Sequence, residues 1–202
     1  MSSIKAKTRR YLRIGMAFAV GLAISGCGNA ERPSLSGAGE EDQVLATVAL
    51  QPASGSSVKG HLSVSPNGQT MAVAGTVTGL TASGVHAIHI HEKGDCSAAD
   101  ASSAGDHFNP YGHRHGSVKN GEHHVGDMEN IVANAQGEAI VKAIVHGASL
   151  GEGGLNDIGG RALVIHAMPD DYASQPSGKA GKRIACGVLE VAQIGAGNSA
   201  SG

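Results

Sequence analysis

The sequence predicts an all-β domain: an eight-stranded Greek-key barrel or sandwich carrying two long functional loops. Three observations lead there. Short runs of Val, Ile, Thr and Ala alternate with turn signals of Gly, Pro and Asn over most of the chain. No long amphipathic helical pattern appears beyond the first 26 residues. With 2% aromatics and 31 glycines, the core has to rest on small aliphatic side chains packed between short strands.

The elements follow in order. Val44–Leu50, Ser57–Val64 and Met71–Thr78 are β-rich runs divided by turn signals at Pro52-Ala53-Ser54-Gly55 and Pro66-Asn67-Gly68. His86–His91, Asp127–Ala133, Ala139–His146, Arg161–Ala167 and Gly187–Val191 complete about eight strands, with Asn134-Ala135-Gln136-Gly137 as a hairpin connection. Two stretches fit no strand: Lys93–His123, and Met168–Cys186 with Lys179, Lys182 and Arg183 near its end. Loops of such length inside a compact domain usually carry function.

The ends of the chain read differently. Residues 1–26 combine five basic residues and no acid over Met1–Arg13 with an apolar run, Ile14–Ile24, too short to span a bilayer. That is the pattern of a secretory signal peptide. It ends in Ile24-Ser25-Gly26-Cys27, which resembles the lipobox of bacterial lipoproteins, where the cysteine is lipidated and becomes the new N-terminus. Residues 27–42 then form a lipid-anchored flexible tether, residues 43–193 the folded domain, and residues 194–202 a disordered tail. The expected location is the periplasm or cell envelope. Gly28 after the cysteine is not the aspartate of inner-membrane retention and favours the outer membrane. Several acyl chains on one cysteine give stable attachment.

Removal of residues 1–26 leaves 10 Lys and Arg against 17 Asp and Glu, a formal charge near −7. Such a surface suits neither nucleic acid nor anionic lipid, so an anionic substrate would need basic groups focused locally. If Cys27 takes lipid, Cys96 and Cys186 remain as a pair in an oxidising compartment; the alternative is two buried free thiols.

The histidines carry the chemistry. Five of the eleven fall between positions 89 and 127 at spacings a metal site would dictate. His89 and His91 are two apart on a strand and point the same way; then come His107, His115, and His124 with Asp127. His166 follows far downstream. Neutral imidazole is the commonest metal ligand near neutral pH, and a carboxylate among nitrogens suits zinc. These are too many ligands for one ion and about enough for two. His86, an odd number of residues from His89 and His91, faces the other side and reads as a structural residue that hydrogen-bonds backbone beneath the site.

The segments GVHAIHIHEKGDC, SAGDHFNPYGHRHG, HHVGDMENI, GRALVIHAMPDD and GKRIACGV, taken together, resemble the consecutive signatures of bacterial secreted copper/zinc superoxide dismutases over about residues 43–193. The resemblance implies one copper held by His89, His91, His107 and His166, and one zinc held by His107, His115, His124 and Asp127, with His107 bridging. It implies that Asp170 accepts hydrogen bonds from His89 and His115, and that Arg183 and His107 are catalytic. Arg183, three residues before Cys186, would dock the superoxide anion at the copper site, with Lys179 and Lys182 extending the local positive field. The implied reaction converts superoxide to dioxygen and hydrogen peroxide by alternate reduction and oxidation of copper, with His107 taking and returning a proton, and would protect the cell envelope. Ala87 and Ile88 replace a glycine and a phenylalanine of the familiar eukaryotic pattern without touching a ligand.

His61, His113, His123 and His146 inherit no role from the resemblance. Two other readings compete. A metal buffer has no use for Arg183, and a copper-delivery domain would carry an exposed cysteine pair. The choice between monomer and homodimer stays open.

Overall fold

A computed structural model describes residues 46–192. The expected signal peptide, the expected lipidation site at Cys27, and the expected tether and tail lie outside the described residues. Within them run nine strands: β1 (Ala46–Pro52), β2 (Lys59–Asn67), β3 (Thr70–Thr78), β4 (Val85–His86), β5 (Ile88–His91), β6 (Ile131–Val132), β7 (Ala139–His146), β8 (Ala162–His166) and β9 (Arg183–Val191). One short 3-10 turn, Ser102–Ala104, is the only helical element among the described residues.

All pairings between these strands are antiparallel, in a seven-stranded sheet ordered β5-β8-β9-β1-β2-β3-β7 and a two-stranded sheet of β4 and β6. β1, β2 and β3 follow one another by hairpins, and β9 returns after a long excursion to lie beside β1, which is a Greek key. The fold is all-β, as the turn-punctuated runs predict.

Alternation tells where the core sits. β1 buries Ala46, Val48 and Leu50, and β7 buries Ala139, Val141, Ala143 and Val145, each with exposed or half-exposed residues between. β5 and β8 differ, since every residue in them is buried. Ile88 and Ile90 of β5 with Leu163 and Ile165 of β8 enter the main core, while Ala162 and Val164 pack against Cys96, Ala101 and Ala104 on the opposite side. His89 pairs with Val164 and His91 with Ala162, so both histidines stand on the face away from the core. The long loops cover that face, and the site they enclose lies outside the barrel.

Three boundaries move from the expected ones. The run His86–His91 divides at Ala87, because His86 pairs with β6 while His89 pairs with β8; this raises the strand number from about eight to nine. Asp127–Ala133 shortens to β6, with Asp127 forming only an isolated bridge to His89. β9 begins at Arg183, four residues earlier than expected: Ala185 and Cys186 pair with both β8 and β1, and the ladder with β8 runs on through a bulge to Arg183. The second long loop therefore ends before Arg183, which stands on a strand.

The Cys96–Cys186 disulfide joins the first long loop to β9 across 90 residues of sequence. In the chain-entropy account, a closed loop of that size stabilises the fold by about 4–5 kcal/mol. It fixes the floor of the loop next to the face that carries His89 and His91.

Candidate metal centre

Four elements bring the site together. β5 presents His89 and His91, and β8 ends at His166. The loop between β5 and β6 supplies His107, His115, His124 and Asp127, and the loop between β8 and β9 supplies Asp170. All these residues are buried, none exposed by more than 6%. The first loop lies on β5 by backbone pairing: Phe108 N donates to Ile90 O, Ile90 N to Gly126 O, and Gly126 N to Phe108 O. Gly126 is required there, since a β-carbon would collide with the carbonyl of Ile90.

The side chains fall into two overlapping sets. His89, His91, His107 and His166 can bring one donor atom each within 4.8 Å of one another, and so can His107, His115, His124 and Asp127. His107 belongs to both, with ring centroids 3.9 Å from His89 and 5.4 Å from His115. Their electrostatics differ. Burial first, then repulsion from His107, lowers the pKa of His89 to about 3 and of His91 to about 2. Burial and repulsion from His91 lower His166 to about 3. The second set is organised by charge. Asp127 Oδ1 accepts from His107 Nδ1 at 2.9 Å, and its Oδ2 lies 3.0 Å from His115 Nδ1 and accepts from the backbone N–H of His124 at 2.9 Å. Although burial opposes it, the hydrogen bond from His107 and the nearby rings of His115 and His124 hold this carboxyl far below the usual range. His115 moves the other way: against its burial, Asp127 and Asp170 raise its pKa to about 9.

Asp170 ties the sets together. Its Oδ2 lies 2.9 Å from His89 Nε2 and its Oδ1 2.9 Å from His115 Nε2. The carboxylate also accepts from Tyr172 N at 2.7 Å, and its backbone is clamped by Asn130, whose Oδ1 accepts from Asp170 N and whose Nδ2 donates to Asp170 O. Gly178 passes so close to this carboxylate and to His115 that any β-carbon would overlap both, and its φ of +63° is left-handed. Gln175 holds His115 from the backbone side, accepting from its N–H at 2.9 Å and donating to its carbonyl at 2.8 Å. His86 sits beneath, donating from Nδ1 to the carbonyl of His166 at 2.9 Å.

A metal pair fits this arrangement. Five buried side-chain nitrogens lack a hydrogen-bond partner among the described residues: His86 Nε2, His89 Nδ1, His107 Nε2, His115 Nδ1 and His124 Nδ1. Four of the five belong to the two donor sets. Stranding that many buried polar atoms costs about 1–3 kcal/mol each unless something else binds them. Four nitrogens suit Cu(II), and three nitrogens with a carboxylate oxygen suit a closed tetrahedral zinc.

A cleft of about 500 Å³ opens onto His91, His107 and His166, and Arg183 lines it. The Arg183 guanidinium donates to the carbonyls of Ala101 at 2.7 Å and Gly105 at 2.6 Å, and Gly105 O also accepts from His91 Nδ1 at 2.9 Å. One carbonyl thus fixes both the cation and a metal-facing histidine. The cleft's second arginine is Arg114; Lys179 and Lys182 are exposed and do not line it. Arg114, Gln175, Asn130 and Gly178 escape the sequence reading. Each acts through a loop conformation that no residue spacing announces.

Comparison with known proteins agrees with this geometry. The family model for copper/zinc superoxide dismutase matches residues 58–189. Superoxide dismutase (Cu-Zn) 2 of Aquifex aeolicus (strain VF5) is 46% identical over 114 residues, covering 55% of this chain and 67% of that protein. The extracellular superoxide dismutase (Cu-Zn) of Onchocerca volvulus is 40% identical over 136 residues, covering 63% and 66%. The chain thus spans about two thirds of the length of these relatives. A solved SOD-like protein from Bacillus subtilis superposes with a TM-score of 0.63 at 32% identity, covering 71% of this chain and 97% of that one. From its two histidine sets to its match over residues 58–189, the chain belongs to the copper/zinc superoxide dismutase family.

Proposed function

We propose that this chain is a superoxide dismutase of the cell envelope, lipid-anchored through Cys27, with copper on His89, His91, His107 and His166 and zinc on His107, His115, His124 and Asp127. The observation that carries the ligand assignment is the set of four unpartnered buried nitrogens, His89 Nδ1, His107 Nε2, His115 Nδ1 and His124 Nδ1. None makes a hydrogen bond, although His115 Nδ1 and His124 Nδ1 lie 3.0 and 3.4 Å from the Asp127 carboxylate. When bound, copper supplies the one-electron couple and zinc a fixed charge beside the shared imidazole. Two superoxide anions and two protons become one dioxygen and one hydrogen peroxide.

The protein's own residues do the rest. Arg183 receives the anion with the N–H donors that Ala101 and Gly105 leave free, in a charge-assisted contact. His107 Nδ1 lies 2.9 Å from Asp127 Oδ1, on the side of the zinc set, which leaves its buried, unpartnered Nε2 to hold a proton and return it to the product. Asp170 keeps His89 and His115 in fixed ring orientations. The anchor and the envelope location rest on the sequence around Cys27, and the Cys96–Cys186 disulfide suits an oxidising compartment.

Metal analysis with a superoxide assay on the full chain tests the reading. One copper and one zinc per chain with rapid superoxide removal is expected; zinc-only protein that stays inactive after copper loading refutes it. Cell fractionation tests the anchor: Cys27→Ser should move the protein from the membrane to the soluble fraction, and an unchanged distribution refutes lipid attachment.

A further inference from the structure

Three histidines outside the two donor sets gather in one place. His113 and His123 of the first long loop and His146 at the end of β7 line a shared cleft of about 400 Å³, together with Glu122. The His123 and His146 ring centroids are 6.0 Å apart. Ring pairs within the buried sets span 3.9 to 6.1 Å, so this pair is as close as imidazoles that can share an ion. Their hydrogen bonds point the same way. His113 Nδ1 donates to the carbonyl of His123 at 3.3 Å, and His123 Nδ1 donates to the carbonyl of His124 at 2.8 Å. A carbonyl only accepts, so both bonds place the proton on Nδ1 and leave Nε2 a bare donor. That is how metal-ligating histidines are usually held.

We propose that His123 and His146, with His113 as a movable third ligand, form an exchangeable site for a divalent transition metal ion beside the dinuclear centre. Imidazole donors with a nearby carboxylate select copper(II) or zinc over calcium or magnesium. The three donors do not converge within 4.8 Å as the buried sets do, and His113 is exposed. The site closes on the ion by side-chain rotation, which makes it a capture site rather than a store. His113 also lines the main cleft with His91, His107 and His166, so it stands between the two sites.

The test uses untagged full-length protein whose buried sets are already filled with copper and zinc. Equilibrium dialysis against copper(II), read by metal analysis and electron paramagnetic resonance, should give a third equivalent per chain with a nitrogen-ligated signal distinct from the catalytic copper. The pair His123→Ala and His146→Ala should weaken this binding at least about tenfold, with dismutation unchanged. His61→Ala, an exposed histidine on β2, should leave it intact. His146→Ala alone, on β7 rather than on the loop that carries His124, keeps the test valid where the pair disturbs folding. Absence of a third equivalent, or equal affinity in the His146→Ala protein, overturns the proposal.

Discussion

The two halves of the metal centre share His107 and little else. On one side, His89, His91 and His166 stand on β5 and β8, positioned by strand register, and carry no carboxylate among them. On the other, His115, His124 and Asp127 stand on a long loop, positioned by a buried charge that the histidines themselves neutralise. Register is a property of the whole sheet and survives loss of a ligand. A charge-organised loop depends on its own members. The difference teaches that the first half is held in shape by the sheet, while the second half is held by the carboxylate at its own centre.

Paired substitutions should break the symmetry between the halves, and they carry the largest expected effect. Asp127→Ala removes the carboxylate that His107, His115 and His124 all face. Breaking a buried charge cluster from one side costs about 3–5 kcal/mol, so zinc content and the urea midpoint should both fall sharply. His91→Ala should abolish activity with copper binding, yet leave zinc near one per chain and the midpoint little changed. Equal destabilisation by the two changes would show that the halves are not separately organised.

Asp170→Asn probes the connection between them. This carboxylate contacts one histidine of each set. An amide presents one oxygen and one NH2 group, so it cannot accept from both rings in the way the carboxylate's two oxygens do. Loss of an outer partner of this kind costs about 10–100-fold in metal affinity. Both copper and zinc should weaken, as measured by competition with chelators, whereas weakening of zinc alone would confine Asp170 to the loop half.

Acid and base should act on opposite halves of the metal-free protein. His89, His91 and His166 have folded pKa values of about 3, about 2 and about 3, below the 6.5 of the unfolded chain. Their contribution is therefore fully present above pH 6.5 and is lost as pH falls toward 3. His115, raised to about 9, contributes stability that is complete below pH 6.5 and is lost as pH rises through 9. Each histidine contributes a slope of about 1.4 kcal/mol per pH unit within its window. Thermal unfolding of the metal-free protein should give a Tm that falls on both sides of a maximum, and His115→Gln should flatten the alkaline side only.

The same contrast explains how much of the site can be seen in the sequence. Strand parity predicts that His89 and His91 share a face, and the sheet places them so, because a period of two needs no partner to be known. The ligand spacing of the loop half is readable only through its resemblance to a family, since no local rule relates His107 to His115. The clamps on Asp170 and His115, supplied by Asn130 and Gln175, are invisible, as is the shared carbonyl of Gly105: any residue can offer a carbonyl, and only the folded loop decides which one does. The start of β9 is misplaced for a related reason. Arg183 reads as loop, but pairing with β8 across a bulge outweighs its polarity.

Arg183 is where the halves meet the solvent, and it gives the smallest effect. It stands on a strand, yet its guanidinium is held by two carbonyls of the disulfide-tethered loop. A cation so placed adds attraction for an anion without being a metal ligand, and losing a tenfold advantage of this kind corresponds to about 1.4 kcal/mol. Arg183→Ala should therefore lower kcat/KM for superoxide about tenfold, with both metals retained. The residual rate should also depend less on ionic strength than the native rate, because one of the cleft's two arginines is gone. Arg183→Lys separates charge from geometry. Lysine keeps the charge but cannot bond the two carbonyls in the same fork. Recovery of the salt dependence with incomplete recovery of kcat/KM would assign attraction to charge and docking to the carbonyl-held orientation. An unchanged rate in Arg183→Ala would remove this residue from catalysis and leave Arg114 as the cleft's working cation.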